Sequence, residues 1–204
     1  MGFYEDRVLP RVIDVLLGNA KMGKLRTRAM EGMSGTVVEI GFGSGTNVPY
    51  YPAEVERVLA VDPATSGRKI ASKRLVASAV PVDFVGLDGE SLPLEDASVD
   101  NVLSTWTLCT IPDVDMALAE VARVLRPGGR LYFLEHGLSD DPAVAARQHR
   151  FDHLQEKIAG GCHLDRDHTA IIGRSPLSVE RVANFSIQGP KVMSYMYSGT
   201  AIKA

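Results

Sequence analysis

Two carboxylates and three glycines stand where a small charged molecule could be gripped. Glu39 comes two residues before the run Gly41-Phe42-Gly43-Ser44-Gly45-Thr46-Asn47, and Asp62 follows 17 residues past Gly45 (62 − 45). Glycine at alternate positions lets main chain swing close to a ligand. A helix beginning near Thr46 or Asn47, both good N-caps, would turn its unpaired N–H groups to the same space. The spacing is G-x-G-x-G rather than the dinucleotide fingerprint G-x-G-x-x-G, because Thr46 stands where the third glycine would let helix pack on strand. An acid ahead of the turn would repel a pyrophosphate, but it suits a ligand carrying an ammonium group, as S-adenosylmethionine does. A carboxylate at Asp62 could accept charge-assisted hydrogen bonds from both hydroxyls of a ribose. The alternative for Asp62 is an ordinary cap on the helix that follows.

Other residues offer chemistry further along. His136 ends an apolar run, where a neutral imidazole could take or orient a substrate proton, or simply be satisfied by backbone. Trp106, the single tryptophan, could wall an acceptor site or close over a cofactor, or else fill core. Cys109 reads as a small buried apolar residue. His163 and His168 share a glycine-opened, acid-rich loop but lack H-x-x-x-H spacing, and no CxxC or Cys/His cluster is visible, so no metal is expected.

These residues need elements to hold them. Val37-Val38-Glu39-Ile40 reads as a buried parallel strand. Further strands are predicted at 57–62, 81–85, 97–104 and 131–135, with a pair running antiparallel at 179–187 and 191–201 around Gly189-Pro190. Helices are predicted at 64–78, after an Asp113 cap, at 140–158 and at 169–172. Leu118, Val121, Ala122 and Leu125 fall at i, i+3, i+4, i+7, and Arg126-Pro127-Gly128-Gly129 ends that helix. Residues 4–30 are helical in pattern, broken by Gly18, Gly23 and Gly32; Val8, Val12, Val15 and Leu16 form one face. That face is expected to pack into core, on the sheet or at the mouth of the cofactor site, in preference to a membrane surface because the polar face mixes both signs. Alternating strands and helices make an α/β sheet, with ligands at the carboxyl ends of its strands.

Glu39-Ile40-Gly41-Phe42-Gly43-Ser44-Gly45 resembles the first motif, E/D-x-G-x-G-x-G, of the class I S-adenosylmethionine-dependent methyltransferases. Ser98-Val99-Asp100-Asn101-Val102 is similar to that family's S-F-D-x-V strand. Glu120-Val121-Ala122-Arg123-Val124-Leu125-Arg126-Pro127-Gly128-Gly129-Arg130-Leu131 is the most family-specific stretch. The resemblance implies a Rossmann-like fold: a seven-stranded, mostly parallel sheet with an antiparallel last strand and helices on both faces. It further implies one methyltransferase domain over 1–204, with 1–32 a helical cap and 33–204 the core. S-adenosylmethionine is then the expected cofactor, held by Glu39, Gly41, Phe42, Gly43, Gly45, Asn47, Asp62, Pro63, Asp88, Gly89 and Thr105. In that set Asp88 would meet the adenine amino group, flanked by Leu92-Pro93-Leu94. Gly161-Cys162-His163-Leu164-Asp165-Arg166, a G-C-x-L-x-R pattern, resembles the small-molecule thiol methyltransferase branch, which implies a small, apolar acceptor and a lean towards thiol. A quinone, phenol or lipid acceptor would need a base, for which His136 is the candidate. A non-catalytic S-adenosylmethionine-binding module is a further alternative. A nicotinamide-dependent oxidoreductase is disfavoured by Thr46 and Glu39.

The bulk numbers agree with that class. A chain of 204 residues, 45% hydrophobic, can bury a full core. Its net charge of −3 includes no basic block, so a nucleic-acid partner is not expected. No apolar run reaches membrane-spanning length, and Glu5, Asp6, Arg7, Arg11 and Asp14 make residues 1–20 unlike a signal peptide. The long apolar N-terminal helix of the membrane-anchored relatives is not found. Two cysteines, Cys109 and Cys162, fit a reducing compartment, and a cytoplasmic location is expected.

Overall fold

The structure, a computed structural model, describes residues 9–63 and 65–204. Val8 and Ala64, each expected in a helix, lie outside the described residues. The elements in order are α1 Leu9–Leu17, α2 Ala20–Ala29, β1 Gly35–Ile40, β2 Val55–Val61, α3 Thr65–Val76, β3 Val82–Gly86 and β4 Val99–Thr105. Then come α4 Val114–Val124, β5 Leu125–His136, α5 Pro142–Ile158, α6 His168–Gly173, β6 Leu177–Ser186 and β7 Tyr195–Lys203.

Seven strands form one sheet in the order β3-β2-β1-β4-β5-β7-β6. β1 pairs parallel with β2 and β4, β2 with β3, and β4 with β5, while β7 runs antiparallel to both β5 and β6. Alternate residues of each strand feed two separate cores, as the pleat requires. Val38, Ile40, Val102, Leu131 and Phe133 pack with Leu118 and Val121 of α4 and Ile172 of α6. Val37, Val58, Leu103 and Tyr132 face the other way, onto Met30 and Met33 beyond α2. Ala60 on that second side meets Ala71 of α3. Parallel pairing brings the ends of β1, β2, β3, β4 and β5 to one edge, and the strand order reverses between β1 and β4. An open α/β sheet leaves a ligand crevice at such a reversal.

Several elements differ from the sequence expectation. No full helix follows the glycine turn; only a 3₁₀ turn, Val48–Tyr50, forms. Pro52 is the reason, since it drives Tyr51 to an extended ψ of 130°. Gly23 sits inside α2 rather than breaking it, because a Cβ there would collide with the Tyr50 ring. The break falls at Gly18, where Asn19 caps α2 by accepting from Lys21 N and Met22 N. The α1 face expected in the core is largely open, with Val15 76% and Leu16 63% exposed. What ties α1 down is polar: its Asp14 accepts from Ser44 Oγ at 2.7 Å and Arg74 Nη1 at 2.6 Å. β5 starts at Leu125, earlier than expected, and 191–193 forms a 3₁₀ turn, so β7 begins only at Tyr195. No helix among the described residues is long and apolar enough to cross a membrane.

Candidate functional site

The glycine turn closes the end of β1 with three left-handed residues: φ is +74° at Gly41, +56° at Gly43 and +71° at Gly45. That conformation is why glycine recurs at alternate positions. A Cβ at Gly41 would run into the Thr107 hydroxyl, so the turn lies against the loop after β4. Gly67 of α3 makes the corresponding approach from the other side, where a Cβ would collide with the Gly43 carbonyl. Sequence reasoning missed Gly67, and its only signal was a glycine in the first turn of a helix. The Gly43 amide donates to Asp62 Oδ2 at 2.6 Å, which joins the turn to the carboxylate ending β2. Asp62 is buried.

Glu39 stands next to the last residue of β1. It is fully buried, accepting from Asn47 Nδ2 at 3.0 Å and from the Tyr51 hydroxyl. Asn47 also donates to Thr105 Oγ1 at 3.0 Å, so its side chain ties β1 to β4 instead of capping a helix. Below them lies Arg26 of α2, only 2% exposed, donating to Asn47 Oδ1 and to Thr105 Oγ1 at 3.1 Å. This arginine was not anticipated, because nothing in a helical stretch says which cation turns inward. Burial pushes the Glu39 carboxyl up to about 7 and the Arg26 guanidinium down to about 10.

The raised Glu39 value sets a pH dependence of stability. Below the ordinary value of 4.5 both folded and unfolded chains hold the proton, and the group costs nothing. Between 4.5 and about 7 the unfolded chain ionises first and stability falls. Above that the loss is complete, about 3 kcal/mol. Glu39→Gln abolishes this titration. Thermal melts should show the variant several degrees above wild type at pH 8.5 and level with it near pH 4; a constant gap at both would remove the carboxyl as the cause.

The remaining expected cofactor residues spread along the same edge. The Phe42 ring turns into the core, edge-on to Phe84 at 5.1 Å, leaving only its main chain at the turn. Pro63 and Asp88 are exposed, and Asp88 Oδ1 accepts from Glu90 N at 2.8 Å. A Cβ on Gly89 would come 2.9 Å from Ile40 Cγ2, so the loop after β3 lies close over the end of β1.

The loop after β4 carries Trp106, expected to wall an acceptor site. Trp106 has φ +51°, a left-handed conformation costly for an indole side chain. The Trp106 backbone amide donates to Leu134 O at 2.9 Å, and the indole ring lies 4.6 Å from the Arg26 guanidinium. A buried carboxylate, Glu135 on β5, gathers this loop, accepting from Ser104 Oγ at 2.7 Å, Thr107 N at 2.9 Å and Cys109 N at 3.4 Å. Sequence reasoning passed over Glu135, which reads as the last residue of an apolar strand.

Cys109, His136 and Cys162, which no local sequence motif relates, meet in the fold. His136 Nε2 lies 2.7 Å from Cys162 Sγ, which lies 3.7 Å from Cys109 Sγ, and all three residues are buried. The fold brings together residues 26 and 53 positions apart, a separation no local motif records. A bond from the Cys109 thiol, helped by the nearby His136 ring, pulls Cys162 down to about 5, while the same pairing and burial push Cys109 up. His163 and His168 take different partners. His163 Nδ1 pairs with Asp152 at 2.9 Å, whereas buried His168 donates from Nε2 to the His136 carbonyl at 3.0 Å.

Comparison with known proteins bears on this arrangement. Residues 38–133 match the family model described as a methyltransferase domain. The chain is 34% identical over 155 residues to thiol S-methyltransferase TMT1B of Mus musculus, covering 73% of this chain and 63% of that protein. It thus spans less than two thirds of that relative's length. It is 35% identical over 99 residues to the ubiquinone/menaquinone biosynthesis C-methyltransferase UbiE of Rubrivivax gelatinosus, covering 48% of this chain and 38% of that one. The crystal structure of an S-adenosylmethionine-dependent methyltransferase from Thermotoga maritima superposes with a TM-score of 0.67 at 20% identity, covering 98% of both chains. That likeness establishes the seven-stranded fold. With an acid-led glycine turn seated where the strand order reverses, and with these relatives in sequence and fold, the chain belongs to the class I S-adenosylmethionine-dependent methyltransferases.

Proposed function

We propose that this protein transfers the methyl group of S-adenosylmethionine to a small thiol. The observation that carries the reading is that the glycine turn and Asp62 share one sheet edge with the 105–109 loop and His136, the edge at which an open α/β sheet takes its ligands. The residues fit the cofactor. Arg26 keeps a buried Nε with no hydrogen-bond partner among the described residues, a donor suited to a carboxylate. A Cβ at Gly43 would meet nothing closer than the Gly41 carbonyl at 3.9 Å, so the turn leaves open space there.

In this reading Asp62 holds the ribose, the main chain of Gly41, Gly43 and Gly45 lies along the cofactor, and Asp88 meets the adenine amino group. Arg26 faces the methionine carboxylate, and the Glu39–Asn47–Thr105 network keeps the floor rigid. Trp106 walls the acceptor side. The cofactor, when bound, supplies an electrophilic methyl on a sulfonium that loses its charge as the methyl departs. The chain's own task is to hold a nucleophile in line at near contact, worth several kcal/mol, and to keep water out. A thiol needs little help to ionise, which lowers the demand for a strong base.

The thiol preference is supported by the name of the mouse relative, and a quinol acceptor by that of the Rubrivivax one. A panel of thiols, phenols, quinols and amines with labelled cofactor, read by mass spectrometry, separates them. Thiols should be methylated at least about 10-fold faster than the rest, about 1.4 kcal/mol of discrimination. Product from a quinol carbon with none from thiols would replace this reading with the other.

A further inference from the structure

Cys109, His136 and Cys162 have no place in cofactor binding, yet the fold builds them into one site. Their ligand atoms all lie within 4.8 Å of one another, and the residues are 1%, 7% and 8% exposed. Each is held from behind. The Cys109 amide donates to Glu135, and the Cys109 carbonyl accepts from His163 N at 2.8 Å, stitching the 109 loop to the 162 loop. The His136 carbonyl accepts from His168. Asp152 of α5 accepts from Leu164 N at 2.6 Å, fixing the loop just past Cys162. These main-chain bonds fix the two loops and the strand end that carry the three side chains.

We propose that Cys109, His136 and Cys162 bind a zinc ion through two thiolates and one imidazole, leaving a fourth position for the sulfur of the acceptor. The geometry supports the ion. Zinc–sulfur bonds of about 2.3 Å at a tetrahedral angle put two thiolates about 3.8 Å apart, and the sulfurs stand at 3.7 Å. The His136 nitrogen, 2.7 Å from Cys162 Sγ, has to withdraw by about 1 Å to reach the tetrahedral N···S separation of about 3.5 Å, within reach of a side-chain rotation. Two cysteines and one histidine with one open position is a donor set for a zinc that works on a substrate rather than one that only braces a fold. Soft thiolate ligands favour zinc over magnesium or calcium.

The role of the fourth position rests on the thiol reading above; the metal site does not. An acceptor R–SH binds as R–S⁻, its proton passing to water. Its lone pair then forms the new S–CH₃ bond as the sulfonium S–CH₃ bond breaks, and S-adenosylhomocysteine keeps that electron pair. The neutral thioether is a weak ligand and leaves.

The test uses the full chain, purified reduced after growth with zinc and dialysed. Elemental analysis should find about one zinc per chain in wild type and under about a tenth in Cys109→Ser and Cys162→Ser. Calorimetry should show both variants binding S-adenosylmethionine like wild type, which establishes that they are folded. Reconstitution with cobalt(II) should give the absorption of tetrahedral thiolate-bound cobalt, moved by a small thiol such as 2-mercaptoethanol. Zinc below about a tenth of an equivalent in wild type, or equal zinc in the serine variants, overturns the site. So does a Cys109–Cys162 disulfide as the isolated form with no metal. A cobalt spectrum unmoved by thiol overturns the role of the fourth position alone. Loss of S-adenosylmethionine binding in wild type with zinc retained overturns the methyltransferase reading and leaves the metal site standing.

Discussion

Asp62→Ala weakens S-adenosylmethionine binding about 100-fold, because it removes the carboxylate that would take both ribose hydroxyls. Hydrogen bonds to a charged group contribute about 1.5–3 kcal/mol each, so losing two costs about 3 kcal/mol, or two powers of ten. The substitution also strips the Gly43 amide of its partner at 2.6 Å, loosening the turn the cofactor lies on. Asp62→Asn keeps the shape and one acceptor, and should lose about 10-fold. Isothermal calorimetry at fixed salt is the measurement. Wild-type affinity in Asp62→Ala, with an unchanged melting temperature, would place the ribose elsewhere and undo the assignment of the site.

Gly43→Ala should weaken the same ligand by at least about 10-fold while costing the fold only about 1 kcal/mol, the strain of a left-handed alanine. The structure allows the two effects to be separated. A Cβ at Gly43 would meet open space rather than protein, so it burdens the molecule chiefly where a ligand would lie. Gly128 provides the control: its φ is +80° and a Cβ there meets nothing within 4 Å, but it stands near the amino end of β5, away from the crevice. Gly128→Ala should show the same stability loss in urea denaturation and no change in affinity. Equal affinity losses in both variants would trace the effect to general destabilisation. Gly41→Ala is different again, since its Cβ collides with Thr107 and the fold itself should suffer.

The parts of the site legible in the sequence are those written in consecutive residues. Glu39 and the alternate glycines announce a strand running into a left-handed turn, and the structure puts positive φ at Gly41, Gly43 and Gly45. The sheet and its antiparallel strand followed from apolar runs, punctuation by proline and glycine, and the kinship of Arg126-Pro127-Gly128-Gly129. Where local signals misled, a neighbour outvoted propensity. Asn47 looked like a helix cap, but buried Glu39 and Thr105 claimed its side chain and Pro52 ended the turn. The apolar stripe of α1 looked like core, but Asp14 anchors that helix by its polar side.

What the chain determines alone is main-chain geometry, because positive φ, alternation and capping act over a few residues. Which side chains meet across the crevice was decided only by the folded molecule. Arg26 under Asn47, Glu135 behind the 107–109 amides, and the Cys109–His136–Cys162 group join residues that sequence spacing does not relate. Their proximity comes from how two crossover loops and α5 settle on the sheet's carboxyl edge. That settling depends on packing summed over the whole domain, for which no periodicity in the sequence stands as a sign.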